Sequence, residues 1–413
     1  MKKKILVKAP ALSQSGYGEQ ARFALRALRS REDLFEIYVL PIPWGRTGWV
    51  WEQDEFRQWL DQRITETQIQ LQQKTLQVDY SLQVTIPNEF EKIAPINIGY
   101  TAGIETTQCS PQWLVKCNDM DKVLVVSNHA KSSIQDVTAE ARNQETGETF
   151  PYKCERDIDV VWETTPQAAP EPIEGLELDY DNNFLFISQL SPRKNFLNTV
   201  TWFMEEFIDQ EVGLVVKTNT ANNSVSDYLR TEAQMNQILS QYPDRKCKIY
   251  LLHGDLSSGQ MAGLYTNEKI SALINISHGE GFGLPMFEAA REGLPIVTVG
   301  WSGQRDFLVK DGEELFQSVK FNLEPVQQEA VWPGVIEKES KWAFADQGSF
   351  KMSLRRVLKN KEEARRLAQL AKENIEESFS DDRLHKIFVD SVLGFDSALL
   401  EATEEEETVL EFE

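Results

Sequence analysis

Residues 277–306 read SHGEGFGLPMFEAAREGLPIVTVGWSGQRD. They follow an apolar run, SALINI, with the character of a buried strand. Glycines 279, 281 and 283 then turn the chain, and Pro285 suits the first position of a helix. A strand, a glycine-rich turn and a helix start leave backbone N–H groups at a helix N-terminus, a natural seat for a diphosphate. Glu280 stands in the turn and Glu288 follows eight positions later on the helix. The first carboxylate can reach sugar hydroxyls at the mouth of such a site. The second can accept hydrogen bonds from a ribose diol.

Working outward, short β-branched runs alternate with helical patterns along most of the 413 residues, the signature of α/β units around parallel sheets. In the first half, strands are predicted at 4–8, 35–40, 80–84, 96–100, 122–127 and 159–162. Helices are expected at 17–29, 53–73, 111–117 and 130–140. Residues 163–183, rich in proline and acids, read as a connection. The pattern then restarts, with strands at 184–188, 213–217, 248–252, 272–276 and 295–299. Helices are expected at 197–209, 228–241, 259–265, 285–292, 348–360 and 361–379. The fold class is therefore α/β, with two Rossmann-like domains facing each other across a cleft. The division runs 1–165, a linker 166–183, 184–380, a C-terminal helix 381–400 packing back on the first domain, and an acidic tail 401–413. Ligands of such sheets sit beyond the carboxyl ends of the strands.

The segment Glu280–Pro295 resembles the signature of family 4 glycosyltransferases of the GT-B fold: Glu, seven residues, Glu, with GFGLP between and EAAREGLP after. The resemblance implies a sugar moved from a UDP- or GDP-linked donor to a hydroxyl, with retention of configuration. It places Glu280 against the donor sugar, Glu288 on the ribose, and the backbone of Gly281, Phe282, Gly283 and Leu284 near sugar or phosphate. In FISQLSPRKN it makes Arg193 and Lys194 the diphosphate clamp, although Gln189 stands where many relatives carry an arginine. Lys217 shares that rim, and the loop 251–258, with His253, falls where relatives contact the nucleobase. Gly16 and Gly18 resemble the glycine loop that relatives press on the donor. Where relatives often carry a histidine, this chain reads TAGIETT, which makes Glu105, with Thr106 and Thr107, the cleft candidates. His129 is a further catalytic candidate. WGRTGW and TIPNEFEKIAP look like glycosyltransferases of tailed phages.

The formal net charge is −22, which argues against a nucleic-acid partner. Residues 1–31, however, carry eight Lys and Arg against one Glu. Arg22, Arg26 and Arg29 share one helical face by spacing, so Arg22 and Arg26 are read as an acceptor-guiding stripe. Trp44, Trp49, Trp51 and Trp59 offer rings for stacking, with Trp49 assigned to the acceptor side. The acceptor is then a glycan or protein, or 5-hydroxymethylpyrimidine in phage DNA. A non-catalytic transferase-like scaffold is the reading of another class. The four cysteines form no C-x-x-C pair, and the two D-x-D tripeptides, 157–159 and 179–181, do not follow strands as a metal site requires. No metal and no cofactor beyond the donor substrate are expected. No run approaches the roughly 20 apolar residues of a membrane span. Ile5–Val7 is shorter than a signal-peptide core of roughly 7–15 residues, so a cytoplasmic protein is expected, in the host cytoplasm if phage-encoded. The oligomeric state stays open.

Overall fold

The computed structural model describes residues 2–143 and 148–405. Most of the acidic tail, from 406 onward, lies outside the described residues.

Two six-stranded parallel sheets organise the chain. The first has the order Phe35–Pro41, Lys3–Ala9, Tyr80–Val84, Ile96–Thr101, Lys122–Val125, Ile158–Val160. The second has the order Lys248–Leu252, Gly213–Asn219, Asn183–Gln189, Ile270–Asn275, Ile296–Val299, Gln317–Val319. In each sheet the chain starts centrally, winds to one edge, then crosses to the other side. The crossing leaves a crevice between Lys3–Ala9 and Tyr80–Val84 in the first sheet and between Asn183–Gln189 and Ile270–Asn275 in the second. Such switch points are where open α/β sheets bind ligands. The central strands are near-continuous apolar runs because helices cover both of their faces.

The two lobes share packed surface. One buried cluster joins Ile5, Tyr100 and Leu124 of the first with Phe282, Phe287 and Phe307 of the second. The helix that begins at Asp381 returns to the first lobe, where Phe388 packs on Phe23 and Tyr100 with ring centroids 5.9 and 5.6 Å apart. The connection is ordered against the second lobe: Glu171 N–H donates to Gly259 O at 2.8 Å.

Several features depart from the sequence reading. The helix expected at 130–140 is Asn128–Gln135, because β-branched Val137 and Thr138 favour the strand Thr138–Arg142, paired antiparallel with Thr149–Lys153. The strand expected at 159–162 is Ile158–Val160, set by its register on Val123–Val125. A second antiparallel hairpin, Phe321–Pro325 with Lys341–Ala345, was not anticipated. Its long tip crosses to the first lobe. Asn88 Nδ2 donates to Gly334 O at 3.0 Å, and Thr107 N–H donates to Lys341 O at 2.8 Å. Val335 is buried in a first-lobe cluster with Phe90, Ile104 and Trp113. Trp332–Pro333–Gly334–Val335 has the form of a type II turn: Val335 N–H donates to Trp332 O at 2.9 Å, and Gly334 supplies the positive φ, 81°.

Candidate active site

The carboxyl ends of both sheets face one cavity of about 600 Å³, a size typical of small-molecule sites. From the first lobe it is lined by Gly16, Tyr17, Trp44, Glu105 and Glu163. From the second it is lined by Arg193, Lys194, Lys217, Glu280 and the turn 281–285.

Local sequence sets the positions. After the strand Asn183–Gln189, Pro192–Lys194 makes one tight turn, and Asn195 takes a left-handed conformation, φ 53°. Its side-chain amide donates to Ile276 O at 3.1 Å, tying the turn to the neighbouring strand end. His278 N–H adds a bond to Arg193 O at 2.8 Å. Arg193 and Lys194 are thereby presented to Glu280. Lys194 Nζ lies 2.7 Å from both Glu280 oxygens. Arg193 Nη1 donates to Glu280 Oε2 at 3.0 Å and Gly279 O at 2.6 Å, and its Nη2 lies 3.1 Å from Glu105. Ser277 Oγ and Asn275 Nδ2 also donate to Glu280, at 2.9 and 3.2 Å.

Burial opposes the Glu280 charge, but Lys194 and Arg193 overcome it and hold the carboxyl at about 2. For Lys194 the balance differs: burial and Arg193 push the ammonium down while Glu280 pulls it up. With both carboxylate oxygens at hydrogen-bond distance of Lys194 Nζ, the two groups form a charged pair. Burial also disfavours the Arg193 cation, but Glu105 and Glu280 keep it charged. The four groups form a closed, neutral set.

The glycines of the turn serve close approach between lobes. A Cβ on Gly281 would sit 2.7 Å from Ala102 O, and one on Gly279 would sit 2.4 Å from Glu105 O. Gly283 caps the helix Leu284–Arg291 with φ 100°. At the start of that helix Pro285 has no N–H, and Met286 and Phe287 donate theirs to Gly283 O at 2.9 and 3.0 Å, so Leu284 carries the leading N–H; Gly283 and Leu284 line the cavity. Phe282 is buried in the shared core and also borders the cavity.

Other expected residues stand elsewhere. Glu288 borders a smaller adjoining pocket of about 120 Å³ with Leu256, Ser258 and Tyr265, and accepts from Tyr265 Oη at 2.7 Å. Burial raises its pKa against that hydrogen bond. Met261 lines both pockets. His253 turns inward to Asp227, 3.0 Å away, instead of facing the cavity. Lys217 lines the cavity and donates to Gly254 O at 2.7 Å. His129 stays outside the lining. Its ring stands edge-on to Trp301, centroids 4.8 Å apart, and burial lowers its pKa to about 4. Gly16 borders the cavity with open space at its Cβ position, whereas Gly18 is a packing glycine whose Cβ would meet Ser13 O at 2.0 Å.

The arginine stripe is not a free surface. Arg22 donates to Ala11 O, Ser13 O and Glu19, and its side chain is 12% exposed. Arg26 binds Glu19 and Thr164 O, and Arg29 binds Glu55. Burial opposes the Glu19 charge, but Arg22 and Arg26 hold that carboxyl at about 2. Trp49 is 67% exposed and outside the cavity lining; Trp44 lines it instead, its ring 4.3 Å from Tyr17. Trp332, Val335 and Ile336 of the crossing hairpin also line it, as does Glu163. Glu163 is 4% exposed, and its Oε2 has no hydrogen-bond partner.

Asp157 and Asp159 pair with Lys122, and Asp179 pairs with Lys248. Among the described residues no cluster of three or more His, Cys, Asp or Glu is arranged for a metal. All four cysteines are buried and unpaired. Among the described residues no helix is long and apolar enough to cross a membrane.

No family model matches the chain. Over 118 residues, 28% of this chain and 13% of the relative, it is 32% identical to the serotype-specific mannosyltransferase WbdA of Escherichia coli. Over 195 residues, 46% of this chain and 26% of the relative, it is 24% identical to poly(glycerol-phosphate) alpha-glucosyltransferase of Bacillus subtilis. The chain thus spans only a minor part of the curated relatives it matches. The solved sucrose-phosphate synthase of Thermosynechococcus elongatus superposes with TM-score 0.64 at 13% identity, covering 96% of this chain and all of that one. Anabaena Alr3699/HepE, solved with UDP and glucose, superposes with TM-score 0.57 at 13% identity, covering 94% and 99%. The chain has the GT-B fold of these structures.

Proposed function

We propose that the protein is a glycosyltransferase that moves a sugar from a nucleoside diphosphate, UDP or GDP, to a hydroxyl with retention at the anomeric carbon. One observation carries the reading: Arg193, Lys194 and Glu280 converge at the switch point of the second sheet, beside a helix N-terminus, in a cavity shared by both lobes. The partial alignments with a mannosyltransferase and an alpha-glucosyltransferase, and a fold neighbour solved with UDP and glucose, support it.

A diphosphate entering this cavity competes with Glu280 and Glu105 for the two cations and meets the helix start at Gly283 and Leu284. Glu280, released in part, turns its oxygens to the hydroxyls of the sugar. Glu288, in the adjoining pocket, receives the ribose diol. The bond from the anomeric carbon to the diphosphate oxygen breaks, and the acceptor oxygen bonds to that carbon. The acceptor proton passes to the departing diphosphate. The two cations stabilise the growing charge of the leaving group, and the cavity walls hold donor and acceptor together. Retention is supported by the resemblance of the Glu280–Glu288 signature to retaining enzymes.

Incubation with UDP-glucose, UDP-galactose, UDP-N-acetylglucosamine and GDP-mannose tests the reading. Release of UDP or GDP is expected with one of them, and the anomeric proton coupling of the product reports retention. Absence of both release and binding for every donor would exclude the function.

A further inference from the structure

The cavity has two chemically different walls. Its charged wall belongs to the second sheet. Its other wall is aromatic and apolar: Trp44, Ile86 and Trp113 from the first lobe face the same space as Trp332, Val335 and Ile336 from the crossing hairpin. The hairpin is fixed rather than draped. Val335 is buried in a first-lobe cluster, and Asn88, which accepts from Trp113 Nε1 at 2.5 Å, donates to Gly334 O. At the other end of the hairpin, His278 Nδ1 lies 2.6 Å from Ala343 O, and the His278 ring stacks on Trp342 with centroids 4.9 Å apart. The same element therefore touches the donor-side turn and roofs the aromatic wall.

We infer that this wall is the acceptor subsite and that its occupant is a neutral saccharide, with Trp332 and Trp44 meeting the ring faces and Glu163 meeting a hydroxyl. The inference rests on the glycosyltransferase reading and extends it to the acceptor. The apolar face of a pyranose matches an aromatic ring, and its hydroxyls need polar partners. Glu163 supplies one: it is 4% exposed, borders the cavity, and has an oxygen without a partner. Burial and the nearby Glu19 raise its pKa well above the usual range, against the pull of Arg26.

Charge selects against a polyanion. Among the lining residues the cations are Arg193, Lys194 and Lys217, all from the second lobe; the proposed diphosphate takes the first two, and the aromatic wall carries none. The arginines expected to steer a phosphate-bearing acceptor are spent on Glu19, Glu55 and backbone carbonyls. A DNA duplex draws its affinity from uncommitted lysines and arginines along the backbone path, and this wall presents none.

The test binds the full chain to an array of neutral, sialylated and phosphorylated glycans, and to a duplex containing 5-hydroxymethylcytosine. UDP and GDP binding are measured in parallel by calorimetry. Neutral glycans are expected to bind best. Trp332→Ala should weaken them about tenfold, and Trp332→Phe should restore part of the loss. Trp49→Ala, whose ring lies outside the cavity lining, should change glycan binding less than twofold. Tighter binding of the duplex, absence of glycan binding, or indifference to Trp332→Ala would overturn the inference. Nucleotide binding separates the two readings. Loss of nucleotide binding in the wild type counts against the transferase; glycan failure with nucleotide bound counts against the acceptor alone.

Discussion

The two switch points of the molecule are built from the same topology and present opposite chemistry. At the second, the strand ends deliver Arg193, Lys194, Lys217 and Glu280, most of them in ion pairs. At the first they deliver Tyr17 and Ile86, joined by Trp44 from the neighbouring loop and Trp332 from the crossing hairpin. Strand order alone locates a crevice. What the crevice holds is decided by side chains in the loops beyond it. Charge on one side suits a leaving diphosphate, and rings on the other suit a sugar acceptor.

The largest effect expected on this contrast comes from Glu280. Glu280→Gln leaves Lys194 buried without its carboxylate and Arg193 with Glu105 alone, a loss of about 3–5 kcal/mol of stability. The sign with pH follows from the depressed pKa. The carboxyl titrates at about 2 in the fold, against roughly 4.3 unfolded. Its contribution is complete above the unfolded value and is lost as pH falls toward the folded one. About 3 kcal/mol should therefore disappear from the wild type between pH ~5 and ~2, closing the gap to the variant. Urea unfolding at stepped pH measures it, and a gap constant across that window would refute the electrostatic account.

Next come the cations. Arg193→Ala and Lys194→Ala should each weaken UDP binding roughly 10- to 100-fold, the worth of a charge-assisted hydrogen bond, and leave uridine nearly unchanged. Equal losses for both ligands would mean that the pair touches something other than phosphate. Glu288→Gln should behave in the opposite way, with a loss of about tenfold shared by uridine and UDP, as the ribose role proposed for it requires. A loss confined to UDP would move Glu288 to the phosphate side. The smallest effect is Gly334→Ala. The positive φ there, 81°, should make this substitution cost about 1 kcal/mol. Thermal unfolding measures that cost, and an unchanged midpoint would show that the turn relaxes freely.

The charged half was legible in the sequence because strand, turn, Glu280 and Glu288 lie within one short stretch, and PRK follows directly on a strand. The two-sheet architecture was legible for a related reason: buried parallel strands read as apolar runs between helical periods. The aromatic half was not legible, because it is assembled from distant pieces. Trp332 becomes a wall residue only through a hairpin that crosses lobes. Glu163 read as the start of an acidic connection, and only packing beside Glu19 reveals it as buried. The arginine stripe misled because the spacing was applied to the cations alone: Glu19 stands at i, i+3 and i+7 with Arg22 and Arg26, shares their face and takes up both.

The buried valine at the tip of the crossing hairpin bears on the clock of the reaction cycle. If the spent nucleotide escapes by parting of the lobes, Val335 must leave its pocket among Phe90, Ile104 and Trp113. Exposing such a side chain costs ~1.5–3 kcal/mol, which slows parting roughly ten- to a hundredfold. Dwell time of the product then depends on one side chain at the tip of the crossing hairpin. Stopped-flow displacement of UDP from Val335→Ala should show a faster off-rate, and an unchanged rate would mean that the nucleotide leaves by another door.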